Sequence, residues 1–199
     1  MSFIPPFTMM DFFRKSEGMW FIQRSVHHFD AVANESGESN LIVTVIPPDD
    51  PRVQAACELH RLDLHQAKGG GSFIWQDNLD DAPPNEDYAA VLIDVPDDDT
   101  LQSGRLIRDL GYINKKPVMS RYWFGNDGIL TIDTEYDIQQ GQERAWFLTD
   151  DFRVRVSSVR MMNGVNLTTY CSERRCVSPQ NLNSLIQANQ MRSKKKLES

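Results

Sequence analysis

The stretch QERAWFLTDDFRVRVSSVR, running from Gln142 to Arg160, decides the fold class. Glu143, Ala145 and Phe147 alternate with Arg144, Trp146 and Leu148; Phe152, Val154 and Val156 alternate with Arg153, Arg155 and Ser157. A period of two marks extended strands, whose successive side chains point to opposite faces. Thr149-Asp150-Asp151 supplies turn chemistry between the two runs. The segment therefore reads as an antiparallel hairpin, Gln142–Leu148 against Phe152–Arg160.

The pattern continues outward in both directions. Upstream lie strand-like runs at Tyr88–Val95, Gly104–Tyr112, Pro117–Phe124 and Gly128–Tyr136, and downstream lies Asn166–Arg174. Asp97-Asp98-Asp99, Asn114-Lys115-Lys116, Gly125-Asn126-Asp127-Gly128, Gln140-Gly141 and Asn163-Gly164 punctuate them as turns. Nearer the N-terminus, Trp20, Ile22, Arg24 and Val26 alternate with Phe21, Gln23, Ser25 and His27, and Asn40–Ile46 and Phe73–Gln76 add two more β-rich runs. Helical signals are few. Thr8 can cap a short helix over Met9–Lys15. Asp49 or Asp50 can cap a second, with Pro51 in its first turn and Val53, Cys57, Leu59 and Leu62 at apolar positions. Successive hairpins without intervening helices favour a meander, and closing a meander removes its exposed edges. The expected fold is all-β: one antiparallel β-barrel with short peripheral helices. Residues 1–8 read as an N-terminal extension, 9–176 as the barrel, and 177–199 as a polar segment with a basic tail.

Composition narrows the function classes. The chain has 199 residues, 40% hydrophobic and 25% charged, with 28 acids against 21 bases and a formal net charge of −7. An acidic balance argues against a general nucleic-acid binder, and no apolar run reaches the ~18–20 residues of a membrane-spanning helix. Cys57, Cys171 and Cys176 form no zinc-type pair and no disulfide framework, which points to a reducing compartment. His27 and His28, adjacent on a strand, point to opposite faces and do not suit one metal ion. Gly69-Gly70-Gly71 lacks the Lys-Ser/Thr of a phosphate-binding loop. No metal site is expected.

A small barrel of roughly eight or more strands can enclose one small ligand, so the inward face matters most. Taken alone, Phe152–Arg160 would put its valines in the core and its arginines in water. Its neighbours weigh against this, because both faces of Gln142–Leu148 and of Asn166–Arg174 mix polar and apolar groups. If the arginines face inward, Arg153 and Arg155 stand roughly 6.5–7 Å apart on one strand. That spacing suits a ligand with two carboxylates held by charge-assisted bonds. Glu173 or a nearby Asp can meet a cationic or N–H-rich part of the same molecule. Trp20, Trp75, Trp123 and Trp146 offer flat surfaces, although core packing accounts for at least two of them. A linear tetrapyrrole has this combination of properties.

Several segments resemble one family. MDFFRKSEGMWFIQRSVHH (Met10–His28), then Glu143-Arg144-Ala145-Trp146-Phe147, then Arg153-Val154-Arg155-Val156-Ser157, then Cys171-Ser172-Glu173-Arg174-Arg175 are similar, in order, to the S-type phycobiliprotein lyases of the CpcS/CpeS family. The resemblance spans about residues 10–176 and implies a lipocalin-like barrel related to fatty-acid-binding proteins. It also implies an activity: binding a phycobilin and promoting thioether attachment to a cysteine of an apo-phycobiliprotein subunit. By resemblance, Arg153, Arg155 and Ser157 receive the propionates, with Arg24 near the same pocket. Glu143 or Glu173 contacts the pyrrole nitrogens or helps protonate the bilin, and Trp75 belongs to the ligand-binding set. The bilin would be a transferred substrate with no permanently bound cofactor, phycoerythrobilin favoured over phycocyanobilin, and the partner a phycoerythrin-type apo-subunit. The expected location is the cytoplasm of a cyanobacterium or the plastid of a phycobilin-containing alga, and homodimerisation stays open. The competing reading is a passive lipocalin-type carrier of a small carboxylated hydrophobic ligand. Both readings use a barrel and arginines; only the lyase requires the acid and a docking surface.

Overall fold

The computed structural model describes residues 4–29, 34–76, 89–108, 117–137, 139–161 and 164–176, together with Ser184 and Gln187. Ten strands follow one another: β1 (Gly18–His28), β2 (Glu35–Ile46), β3 (Gly70–Gln76), β4 (Ala89–Pro96), β5 (Ser103–Arg108), β6 (Val118–Phe124), β7 (Leu130–Tyr136), β8 (Gln139–Thr149), β9 (Phe152–Met161) and β10 (Gly164–Cys176). Each pairs antiparallel with the next, and β1 closes the barrel against β10. The all-β expectation holds, and so does the barrel. Differences lie at the ends of strands. Gln140-Gly141, a turn by its residue types, lies inside β8, because β7 and β8 stay paired out to Tyr136 and Gln139. The cross-strand ladder overrides a local glycine signal. The predicted strand over Gly104–Tyr112 is described only to Arg108, and the acidic run Asn78–Asp87 and the tail beyond Cys176 lie outside the described residues, apart from Ser184 and Gln187.

Among the described residues, helices α1 (Met9–Ser16) and α2 (Pro51–His60) flank the barrel. Thr8 caps α1 by accepting the Asp11 amide at 3.2 Å. The buried side of α1, Met9, Met10, Phe12 and Phe13, joins Trp20, Leu41, Phe73, Leu106, Tyr122, Phe124 and Phe147 in one cluster. The helix thus plugs one end of the barrel. Gly18, at φ +118°, makes the reversal from α1 into β1 in a conformation that favours glycine. At the C-terminus of α1, the Arg175 guanidinium donates to the carbonyls of Lys15 and Glu17 while stacking over Trp20 at 4.4 Å. A cation there satisfies carbonyls that the helix leaves without partners and complements its dipole.

Asp50 caps α2, with its carboxylate accepting the Arg52 amide at 2.9 Å. Val53, Ala56 and Cys57 cover the outer side of β4 and β5, packing with Ile46, Ile93, Val95 and Ile107. Leu59 departs from the sequence expectation. It is 49% exposed, because the covered side of this short helix ends at Cys57. Two tryptophans also depart from core packing: Trp20 is sealed, but Trp123 faces out from β6 and is 39% exposed, and Trp146 faces out from β8, half-buried.

Candidate functional site

Strand register brings the candidate residues together in three rungs across β1, β10, β9 and β8. Next to the α1 plug, Ile22, Glu173, Arg153 and Phe147 lie side by side. One step further from the plug come Arg24, Cys171, Arg155 and Ala145. The third rung is Val26, Thr169, Ser157 and Glu143. All share the inward parity of Trp20 and Phe147, so the arginines point into the barrel and Val154 and Val156 point out. Burial falls away from the plug. Glu173 and Arg153 are sealed, at 0% and 3% exposure; the Arg155 side chain is 22% exposed, and Glu143 is 35% exposed. Arg24 is exposed.

Glu173 is the hub. One carboxylate oxygen accepts Arg153 Nε at 2.5 Å and the other accepts Arg155 Nε at 2.8 Å. Burial pushes this carboxyl up, but the two guanidiniums and their hydrogen bonds outweigh it and hold Glu173 below the usual glutamate range. Arg153 is fully committed. It also donates to Ser16 Oγ at 2.6 Å, and its guanidinium lies 4.7 Å from the Trp20 ring centroid and 5.6 Å from those of Phe12 and Phe147. Aromatic faces shelter a planar cation in this way, at a modest gain per contact.

Arg155 divides its donors. Besides Glu173 it reaches Glu143 Oε2 at 3.1 Å and Cys171 Sγ at 3.8 Å. Burial lowers its pKa, and the two carboxylates outweigh burial and raise it well above the ordinary arginine value, so it remains a cation. Burial pushes the Cys171 thiol up, offset in part by Arg155.

The predicted residues thus occupy different depths. Arg153 and Glu173 form the sealed floor; Arg155, Arg24, Ser157 and Glu143 stand above it, further from α1. Trp75 faces inward from β3, opposite Leu41 and stacked against Phe73 at 6.1 Å between ring centroids, on another part of the wall. Sequence reading did not single out Ser16, whose contact with Arg153 spans 137 positions and leaves no local pattern. It also missed two interior pairs on the opposite wall, Tyr122 donating to Asp94 at 2.7 Å and Arg108 donating to Tyr136 at 3.0 Å. Alternation within β4, β5, β6 and β7 places these residues inward, but only the closed register shows which ones meet.

No helix among the described residues is long and apolar enough to cross a membrane. The family model described as CpeS-like protein matches residues 8–176, the span that contains α1, the whole barrel and every residue of the three rungs. A chromophore lyase CpcS/CpeS 4 of Trichodesmium erythraeum is 59% identical over 95% of this chain and 98% of its own length. A chromophore lyase CpcS/CpeS of Synechococcus sp. strain WH8020 is 44% identical over 95% and 94%. Among solved structures, the S-type phycobiliprotein lyase CPES from Guillardia theta superposes with a TM-score of 0.70 at 25% identity, covering 86% of this chain and 94% of that one. With barrel, plug and inward charge cluster all inside the matched span, the chain belongs to the CpeS-like protein family.

Proposed function

We propose that this protein is a phycobiliprotein lyase, binding a linear tetrapyrrole in the barrel and directing its attachment to a cysteine of an apo-phycobiliprotein subunit. One observation carries this reading: Arg155 lies inside the barrel between two carboxylates, above a sealed Arg153–Glu173 floor, where exposure rises away from α1. Arg24, Arg155 and Ser157 take the bilin propionates through charge-assisted and hydroxyl hydrogen bonds. Arg153 positions Glu173 from below. Glu143 and Glu173 stabilise the protonated tetrapyrrole, and Trp75 contributes a flat surface.

Protonation draws electrons from the A-ring ethylidene group and makes its outer carbon a better electrophile. The acceptor's sulfur then bonds to that carbon, the displaced π pair takes up a proton on the adjacent ring carbon, and the thiol proton is released. The overall change is addition of S–H across a double bond, with no external oxidant or reductant. Holding a flexible bilin in one orientation supplies much of the advantage over free solution. The attacking cysteine belongs to the acceptor, in keeping with a buried Cys171 whose pKa is raised.

In the finer reading, the bilin is a transferred substrate and no cofactor is held permanently. Phycoerythrobilin is preferred to phycocyanobilin, the acceptor is a phycoerythrin-type subunit, and the protein works in a cyanobacterial cytoplasm or an algal plastid. Co-expression with apo-phycobiliprotein subunits and a source of either bilin tests all of this. Covalent, denaturation-resistant colour on the acceptor is expected. A coloured complex that never transfers its pigment would make the protein a carrier, and failure to bind any bilin would remove the pocket assignment.

A further inference from the structure

Among the described residues, the barrel exterior is unequally covered. On one side α2 seals the outer faces of β4 and β5. On the other, every second residue of β8, β9 and β10, from Gln140, Phe152 and Thr168 onward, faces out by register. In a chain of net charge −7, no carboxylate stands among those outward positions. Three are exposed arginines, Arg144, Arg160 and Arg174, and among the described residues none of them forms an ion pair. Between them lie Trp146, Val156 and Tyr170, the last 51% exposed. Arg144, Val156 and Tyr170 are in direct register, so cation and apolar surface are interleaved.

Apolar surface set among arginines, with no carboxylate at the outward positions of these three strands, has the composition of a protein-binding patch. Two copies meeting through it would set arginine against arginine, which disfavours a symmetric dimer. The face ends beside a cavity. At its end away from α1, Arg160 lines a cavity of about 370 Å³ with the acids Glu135 and Asp137 and with Tyr136, Gln139 and Met161.

We infer that the outer face of β8–β10 docks the acceptor protein through an acidic, partly apolar surface of that acceptor. This rests on the bilin-transfer reading, and the two can fail separately. The test compares the wild type with the Arg144→Glu/Arg160→Glu/Arg174→Glu variant, and with a control carrying the same charge change elsewhere, Arg14→Glu/Arg61→Glu/Arg121→Glu. Bilin affinity and bound spectrum are measured first, then transfer to an apo-phycobiliprotein subunit at varied acceptor concentration and salt. The expected result is bilin binding unchanged in all three proteins, with a KM for acceptor raised about tenfold or more only in the face variant. Its kcat at saturating acceptor stays near wild type, and the salt dependence of the wild-type rate is lost. An unchanged acceptor KM overturns the assignment, as does an equal rise in the control, which would reflect net charge alone. Wild type sedimenting as a dimer that the face variant dissociates would make the face a contact between copies and would also overturn it. Absence of any bilin binding by the wild type would instead remove the functional reading beneath it.

Discussion

Arg153 and Glu173 face each other across the β9–β10 ladder, both sealed from solvent, with guanidinium and carboxylate 2.5 Å apart. Removing both charges from water is costly, and the pair persists because each group has further partners: Ser16 and three aromatic rings for Arg153, Arg155 for Glu173. An oxygen or a guanidinium removed here strands the others.

Glu173→Gln should therefore lower unfolding stability by about 3–5 kcal/mol, since two buried or half-buried arginines lose their shared counter-charge. Urea unfolding measures it. Because the Glu173 pKa is held below its unfolded value of about 4.3, its stabilisation is present above that pH and is lost as pH falls through the lower folded value. The acid limb of the wild-type stability profile should flatten in the variant.

Arg155→Ala and Arg153→Ala should separate binding from stability. Arg155 stands further from α1 and is partly exposed, and losing a charge-assisted bond to a propionate should weaken bilin binding roughly 10–100-fold. Arg153 is sealed beneath it, so its removal should show mainly in unfolding, with the bilin spectrum altered through a displaced Glu173. Absorbance titration alongside thermal melts distinguishes the two. Equal affinity losses and equal stabilities would refute the division of roles.

Asp94 titrates in the opposite sense. Burial raises its pKa to about 6, against a smaller opposing effect of the hydrogen bond from Tyr122. With an unfolded value of about 3.9, its contribution to stability is fully present below pH ~4 and is lost as pH rises through about 6. Asp94→Asn keeps a carbonyl oxygen for Tyr122 and removes the ionisation. Stability of the variant relative to wild type should rise between about pH 4 and pH 7, measured by denaturant midpoints across that range.

Phe13→Ala tests the plug. Phe13 is 1% exposed and meets Phe73 edge to face at 5.8 Å between ring centroids. Truncation should cost about 3–5 kcal/mol through lost burial and a cavity. Retained stability would mean that α1 can reseat over the gap.

The all-β fold was legible because two-residue alternation and turn residues recur along most of the chain, and because hairpins without crossovers admit few topologies. Both helix starts were legible too, in Thr8 and in Asp50 followed by Pro51. Gln140-Gly141 misled because a turn-prone dipeptide yields to cross-strand pairing on both sides. Leu59 misled because a helix of 10 residues has too little length for its pattern to define one covered side.

By itself the sequence determined that Arg153, Arg155 and Ser157 share a strand face, since a strand allows no other arrangement. It did not determine whether that face meets water or the barrel interior, nor the depth of each residue within it. Those followed from closure of β1 against β10 and from the plug of α1, which together bring Ser16, Trp20 and Glu173 around Arg153. The physical reason is desolvation: alternation is a property of the local backbone, whereas the burial of a charge depends on which distant groups pair with it once water is excluded.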